Sequence, residues 1–138
     1  MHSRVFNIVP KVAAYEKIDE NDAFEMMENR VDYVTEIVEP KAVTHEMDYL
    51  LKVLKVDLPN TELSKDFEGK YILRLSMKDV KDKLTRFDKN LNDRYGYLFL
   101  FELNLPFTEL EWFYYMLTKY APDAVVEFVV LQVYDYHF

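Results

Sequence analysis

The last third of the chain, residues 97–138, constrains the fold most, because it is strongly apolar and its periodicity changes twice. The run YLFLFELNL predicts a strand, PFTELEWFYYMLTKY predicts a helix, and AVVEFVVLQVYDYHF predicts a long second strand. Thr108 and Glu111 are spaced as a capping box at the start of this helix, and Phe107 and Trp112 flank it as a hydrophobic staple does. About half of the aromatic residues lie in this stretch, so we expect it to supply the core.

The first third of the chain predicts a strand followed by a helix. Residues 4–9 are short and β-branched, which favours a strand. Over residues 22–38 apolar side chains recur every three or four positions, which predicts an amphipathic helix. Asp19 or Asn21 is expected to cap the start of this helix, and Pro40 to end it.

The middle of the chain predicts two more helices on either side of a strand. Thr44 is expected to cap the first of these helices, and residues 57–69 are expected to form a polar loop with a short helical turn. Residues 71–77 alternate as a strand covered on one face does. The following helix carries Asp79 and Lys83 at four-residue spacing, which indicates a solvated face.

Strands that alternate with helices favour parallel pairing through right-handed crossovers. The polar face of the strand at 71–77 argues instead for a sheet that is covered on one side. The sequence therefore predicts an α+β fold, a two-layer domain in which a mixed sheet of about four strands has helices mainly on one face, in the order β-α-α-β-α-β-α-β. A chain of 138 residues without a linker is expected to form a single globular domain, 1–138.

The composition argues against several kinds of site. The chain has no cysteine, which removes disulfides, thiolate metal ligands and a cysteine nucleophile. Gly69 and Gly96 are the only glycines, whereas phosphate-binding loops need glycine for close approach of the backbone to the anion. We therefore expect no cofactor, no metal site and no nucleotide-dependent enzyme.

The three histidines, His2, His45 and His137, are the remaining candidates for acid–base chemistry. Two acids follow His45 at the start of a helix, so it is either a base oriented by an acid or, as we favour, a polar residue of an exposed first turn. His137 shares a strand face with Asp135, as a metal pair does. No third ligand stands at a recognisable spacing, so we favour a partly buried terminal strand there.

The net charge of −8 is concentrated between residues 16 and 39, where nine acids face two bases. On the helix predicted over 22–38, acids project from the side opposite the apolar stripe. This row is either an ordinary solvated face or a surface that docks on a basic protein or imitates the phosphates of a nucleic acid. The row that we assign to partner binding consists of Glu25, Glu28, Asp32 and Glu36.

A second candidate surface lies on the helix that follows Thr108. Its inward face is predicted to contain Leu110, Phe113, Tyr114, Leu117 and Ala121. Trp112, Tyr115 and Met116 then lie on the far side beside Lys119, and we assign these four residues to partner binding or a homodimer contact. A helix that is apolar all round either has both faces buried within its own chain or has one face buried by another molecule. Both interpretations stay open. An uncovered edge on the long last strand would also invite pairing with another chain.

The leading hypothesis for function is a small acidic, non-enzymatic protein of inhibitor, immunity or regulatory type that binds the surface of a protein partner. A partner with a basic surface would complement its charge. Direct nucleic-acid binding is not expected, because the charge has the wrong sign. One alternative is an enzyme with carboxylate, histidine and tyrosine groups in a pocket; the other is a structural subunit of a homo-oligomer. A pocket that holds His45 or His137 near an acid would favour the enzyme. No apolar run is long enough for a membrane span or a signal peptide, so we expect a cytoplasmic protein.

Overall fold

The computed structural model of the chain describes residues 2–12, 17–27, 31–85, 97–101 and 106–138. Within these ranges it contains four helices and seven strands, all of the strands in one mixed sheet. In chain order the elements are β1 (His2–Pro10), α1 (Glu20–Met26), β2 (Tyr33–Glu36), α2 (Pro40–Asp57), β3 (Glu62–Lys65), β4 (Tyr71–Ser76), α3 (Met77–Thr85), β5 (Leu98–Phe101), β6 (Pro106–Thr108), α4 (Glu109–Lys119) and β7 (Val125–His137). The mixed α+β character is confirmed, but the sheet has more strands than the four predicted.

The last strand, β7, is the centre of the sheet. It pairs antiparallel with β1 from Pro10↔Phe128 to His2↔His137. Its other edge is shared, because β4 pairs with its first part and β2 with its last part. The path across the sheet is β3-β4-β7-β1-β5-β6, and among the described strands the β1–β5 pair alone is parallel. The hypothesis of an uncovered edge on this strand is therefore wrong.

A β-bulge interrupts the pairing of β7 with β1. Gln132 and Val130 pair with consecutive residues of β1, which leaves Leu131 as an extra residue on β7. Side chains alternate along a strand, so one extra residue moves those that follow to the opposite face. Val130 and Val133 consequently pack in the same core although they are three residues apart.

The sheet separates two apolar cores. Helices α2, α3 and α4 cover one face, where Leu50, Val80 and Trp112 are fully buried. The shorter α1 covers the other face, where Ala23 packs in one cluster with Tyr134 of β7. Three of the four described helices thus lie on one side of the sheet.

The helix predicted over residues 22–38 is wrong beyond its first turns. α1 begins after Asp19, one of the two predicted caps, and ends at Met26. Residues 33–36 form β2 instead, with Val34 buried between two exposed neighbours. A β-branched run with alternating burial suits a strand, and pairing with β7 supplies the backbone partners that this strand needs.

Pro40 begins a helix rather than ending one. It is the first residue of α2, and the Glu39 carboxylate accepts hydrogen bonds from the backbone N–H groups of Lys41 and Ala42 at 3.1 and 2.7 Å. Proline suits this position because the first N–H groups of a helix have no partner within it. Thr44, predicted as the cap, lies inside the helix and donates to the Pro40 carbonyl oxygen at 3.0 Å.

The segment between α2 and α3 is more ordered and more buried than its polarity indicates. Residues 62–65, predicted as a loop, form β3 and pair with β4. Asp79 and Lys83, assigned to a solvated face, are both buried. Lys83 Nζ lies 3.0 Å from Asp57 Oδ1, and Asp79 accepts hydrogen bonds from the backbone and side-chain N–H groups of Asn60. These partners compensate the cost of burying the charges and tie α3 to the end of α2.

The fourth helix begins as predicted, and Phe113 is buried as predicted, but other residues of its inward face differ from the prediction. The capping box is confirmed, because Thr108 Oγ1 accepts from Glu111 N at 3.3 Å and the Glu111 carboxylate accepts from Thr108 N at 2.9 Å. Trp112 and Met116, assigned to an outward surface, are completely buried. Tyr114, assigned to the inward face, is 59% exposed.

The reason for this difference is that α4 packs against α3 as well as against the sheet. The Trp112 ring lies with its centroid 4.5 Å from that of Phe99 and also contacts the rings of Phe101 and Phe128. Burial within the same chain, one of the two interpretations left open by the sequence, therefore accounts for Trp112 and Met116. Completely buried side chains offer no contact area to a partner.

Trp112 is the single tryptophan of the chain, so its fluorescence reports directly on this core. We expect blue-shifted native emission that acrylamide barely quenches. Trp112→Ala should lower the free energy of unfolding by about 3–5 kcal/mol, because it leaves a large cavity. The exposed Tyr114→Ala is the matched control and should change it by about 0.5 kcal/mol or less. Urea denaturation followed by circular dichroism measures both, and equal losses would contradict the assignment of the two faces.

Candidate functional site

A polar cleft of about 380 Å³ opens where the start of β1 meets α2. β1 and β7 pair antiparallel, so Arg4 lies opposite Asp135 and His2 opposite His137. β5 runs parallel to β1, which brings Tyr97 beside the same site. The residues that line the cleft are His2, Ser3, Arg4, His45, Glu46, Tyr49 and Tyr97.

Arg4 is the centre of the charged groups in the cleft. Its Nη1 donates to Asp135 Oδ1 at 2.9 Å, and its Nε lies 2.9 Å from Glu46 Oε1. The second contact is an ion pair without hydrogen-bond alignment. Asp135 Oδ1 also lies 3.1 Å from Nδ1 of His2. One guanidinium therefore holds carboxylates from two elements, and one of them orients an imidazole.

A second histidine–carboxylate contact lies beside the cleft. His137 Nδ1 lies 2.7 Å from Asp32 Oδ2, and the ring stacks on Tyr33 at 5.6 Å between centroids. The His2 and His137 rings are 4.9 Å apart in an edge-to-face arrangement. Since His45 lines the cleft itself, all three histidines of the chain gather at this end of the sheet.

Tyr97 is held in its neutral form. Burial raises the pKa of the Tyr97 hydroxyl well above its ordinary value, and the negative charge of Glu46 and the neighbouring Tyr49 raise it further, while Arg4 acts in the opposite direction. The rings of Tyr49 and Tyr97 meet edge to face at 6.1 Å. The cleft therefore contains a neutral hydroxyl that can donate a hydrogen bond to a bound group.

The chemistry of the cleft follows from these contacts. A carboxylate on one nitrogen of an imidazole stabilises the tautomer in which the other nitrogen accepts a proton or a hydrogen bond. The Asp135–His2 contact has this form, and His2 is 52% exposed in its side chain. Among the carboxylates and guanidinium groups here, Asp32, Glu46 and Asp135 outnumber Arg4, so the site attracts cationic groups.

The acidic row assigned from the sequence does not exist as one helix face. Glu25 is exposed on α1, and Glu28 lies outside the described residues. Asp32 precedes β2 and contacts His137. Glu36 is half-buried in β2, where its carboxylate accepts a hydrogen bond from Gln132. Of the three described acids, Asp32 alone reaches the cleft region, because the change from helix to strand places them on different segments.

The aromatic surface assigned from the sequence is also divided. Trp112 and Met116 are in the core, whereas Tyr115 is half-buried and stacks on Phe107 at 5.3 Å. Phe107 had been expected to staple onto Trp112. Lys119 is exposed, and its Nζ lies 6.0 Å from the centroid of the Tyr120 ring. The structure does not bring these four assigned residues together in one exposed patch.

No functional role was predicted for Arg4 or Tyr97, while His2 was named only as one of three histidines and Glu46 only as an acid that follows His45. Asp135 and His137 stand two residues apart on one predicted strand face. His2 and Arg4 have the same spacing in β1, but the first strand was predicted to begin only at Arg4. The missing information was the antiparallel pairing of β1 with β7. This pairing places His2 opposite His137 and Arg4 opposite Asp135. A local pattern cannot supply a contact between residues more than 130 positions apart.

Across the described residues, no group of three or more histidine and carboxylate side chains is arranged to hold a metal ion. The helices within those same ranges are too short or too polar to span a bilayer. No protein-family model, curated protein or solved structure matches the chain. Functional inference therefore rests on the geometry of the chain itself.

The raised pKa of Tyr97 predicts a loss of stability at alkaline pH. The unfolded chain releases this proton near pH 10, whereas the folded protein retains it, so the free energy of unfolding falls as the pH rises above 10. Tyr134, whose pKa burial also raises, contributes in the same direction. We expect Tyr97→Phe to make the fall shallower in urea denaturation between about pH 9 and 11.5. The exposed Tyr114→Phe is the control, and an unchanged slope in Tyr97→Phe would refute the expectation.

Proposed function

We propose that the protein is a small acidic protein that acts by binding a protein partner, and that the cleft with its tyrosine rim is the contact surface. The observation that carries this proposal is the exposure of Tyr33 and Tyr49 beside the cleft, 43% and 48% respectively. Tyrosine is enriched in interface cores, because its ring offers apolar area and its hydroxyl a hydrogen bond. Both rings are held by aromatic neighbours, His137 and Tyr97, so little side-chain freedom is lost on binding.

The charges around the rim support a partner with a basic surface. The Asp32 side chain is 71% exposed, and Asp48 is exposed on α2 next to Tyr49. An arginine or lysine of the partner can stack on a tyrosine ring while its charge meets a carboxylate. The net charge of −8 would also steer a basic partner towards the protein at low salt.

An oligo-arginine peptide labelled with a fluorophore is a direct probe of this surface. We expect the double variant Tyr33→Ala/Tyr49→Ala to bind it about tenfold more weakly in fluorescence polarisation at low salt, because two stacking platforms are lost. Tyr114→Ala removes an equally exposed tyrosine from α4 and is the matched control. Equal affinity of the double variant and the control would remove the support for a tyrosine rim.

The electrostatic part of the proposal has its own test. Asp32→Asn should weaken peptide binding a few-fold and make it less sensitive to salt, because exposed charges act through a screened field. Asp123→Asn removes an exposed acid from the turn after α4 and should have no comparable effect. The same variants serve as negative baits in affinity capture from the native host, where a genuine partner is retained by the controls and lost by the rim variants.

One observation favours a second candidate, an enzyme that uses acid–base chemistry. The expected sign of an enzyme was a pocket that holds His45 or His137 within reach of an acid. His45 lines the cleft, and His137 contacts Asp32 beside it. His2 combines both properties, since it lines the cleft and its Nδ1 lies 3.1 Å from Asp135. His2 is held by Asp135, and Asp135 is itself held by Arg4. A general base has this arrangement.

A panel of chromogenic esters, phosphates and glycosides tests this second candidate. Turnover that originates in the cleft should fall about 100-fold or more in His2→Gln, because that change removes the base. Asp135→Asn should shift the pH profile of the remaining rate, whereas Tyr114→Phe should leave the rate unchanged. Absence of turnover across the panel, or a rate that survives His2→Gln, would count against an enzyme and leave partner binding as the proposal.

A further inference from the structure

The sheet has an opening along one edge of β7, at a distance from the polar cleft. β4 pairs with β7 as far as Val130, and β2 begins to pair at Tyr134. Leu131, between them, is the bulged residue opposite β1. Ile37 N donates to Val133 O at 2.9 Å and closes one end of the opening. A cavity of about 180 Å³ lies there.

Most of the side chains that line this cavity are apolar, although polar atoms contribute slightly more than half of its lining surface. Val43 and Met47 of α2 lie on one side, Ile37 follows β2, and Leu131 comes from the bulge. Tyr71 closes the wall on the β4 side, and its hydroxyl is 2.9 Å from Thr44 Oγ1. An apolar protein cavity of about 150 Å³ is large enough to hold benzene. The volume therefore suits one ring or a short branched aliphatic group.

The polar side chains that line the cavity differ in whether they already have hydrogen-bond or ion-pair partners within the described part of the protein. Gln132 exchanges two hydrogen bonds of 2.8 Å with the backbone of Ile18 and donates to the Glu36 carboxylate. Lys17 also lines the cavity, is exposed, and makes no ion pair within the described part of the chain. A second cation is near, because Lys65 Nζ lies 4.8 Å from the centroid of the Tyr71 ring. Glu36 also lines the cavity, but its carboxylate already accepts a hydrogen bond from Gln132, so Lys17 is the charged group with which a ligand can pair.

We propose that this cavity binds a small carboxylate with an apolar body, its ring or branched chain between α2 and the bulge and its carboxylate at Lys17. The size of the cavity, its mostly apolar side chains and its available cation together define this class of ligand. Beta-bulges are common next to functional sites, because they interrupt strand pairing where a ligand needs room. The residues that line this cavity and those that line the polar cleft have no member in common, so the two sites are separate.

Benzoate, benzyl alcohol and benzylamine are matched probes, because they share the ring and differ in charge. We expect saturable amide chemical-shift changes in nuclear magnetic resonance spectra, centred on Ile37, Val43 and Leu131. Benzoate should bind with a Kd on the order of 1 mM, which suits a ligand of this size. Benzylamine should bind at least tenfold more weakly, with benzyl alcohol between the two. This ranking needs no variant, so it decides the proposal even where a variant fails to fold.

Two variants test the roles of charge and volume. Lys17→Glu should weaken benzoate binding at least tenfold, and Lys52→Glu, which changes an exposed lysine of α2 outside the cavity, should not. Val43→Phe should abolish binding of all three probes by filling the cavity, with circular dichroism to verify the fold. Equal binding of the three probes, shifts centred elsewhere, or full benzoate affinity in Lys17→Glu would each overturn the proposal.

Discussion

The antiparallel pairing of β1 with β7 is the constraint on which the rest of the structure depends. It joins residues 2–10 to residues 128–137 and gives the sheet its two central strands. β1 then pairs with β5, and β7 pairs with β4 and β2, so every described strand except the two outermost is attached directly to this pair. The outermost strands, β3 and β6, have four and three residues. Short edges of this kind limit pairing with other chains.

The bulge shifts the alternation of side chains along β7 by one residue, and a buried polar network stabilises the chain where this shift occurs. Asn7 Nδ2 donates to Gln132 Oε1 at 3.0 Å, and Gln132 in turn bonds both backbone groups of Ile18. The Tyr134 hydroxyl also donates to the Ile18 carbonyl oxygen. Buried polar groups are costly when they lack partners, so these bonds both remove that cost and hold the chain before α1 against the sheet.

The sequence predicted those elements whose signals are local. The β4 alternation, the apolar run of β7 and the Thr108–Glu111 capping box each lie within a few residues, and each appears in the structure. The helix prediction over residues 22–38 was wrong because apolar residues spaced every three or four positions coincide there with a β-branched run. Pairing with β7 decided between helix and strand, and such pairing is not visible in a short window.

The candidate site was less predictable than the fold, because its groups are far apart in the chain. His2 and Asp135 are individually unremarkable, and their contact exists only through the register of β1 and β7. Trp112, Met116 and Tyr114 of α4 were assigned to the wrong faces for a related reason. Trp112 points into a space that α3 and the sheet enclose together, so its burial depends on two neighbours that the helix pattern alone does not reveal.

The ion pairs among the charged side chains of the cleft indicate which of its groups a partner would contact first. Arg4, Asp135 and Glu46 are mostly buried, with 27%, 27% and 11% of their side chains exposed. An incoming cation that competed for these carboxylates would have to displace Arg4 and leave its charge poorly compensated, which is costly in a partly desolvated site. Asp32 contacts His137 but is exposed, and the rings of the tyrosine rim are exposed and held by neighbouring rings, so a partner can reach both without displacing Arg4. The floor of the cleft is therefore better suited to holding the rim in position than to binding the partner's charge, and this division of roles is what makes recognition through the rim physically reasonable.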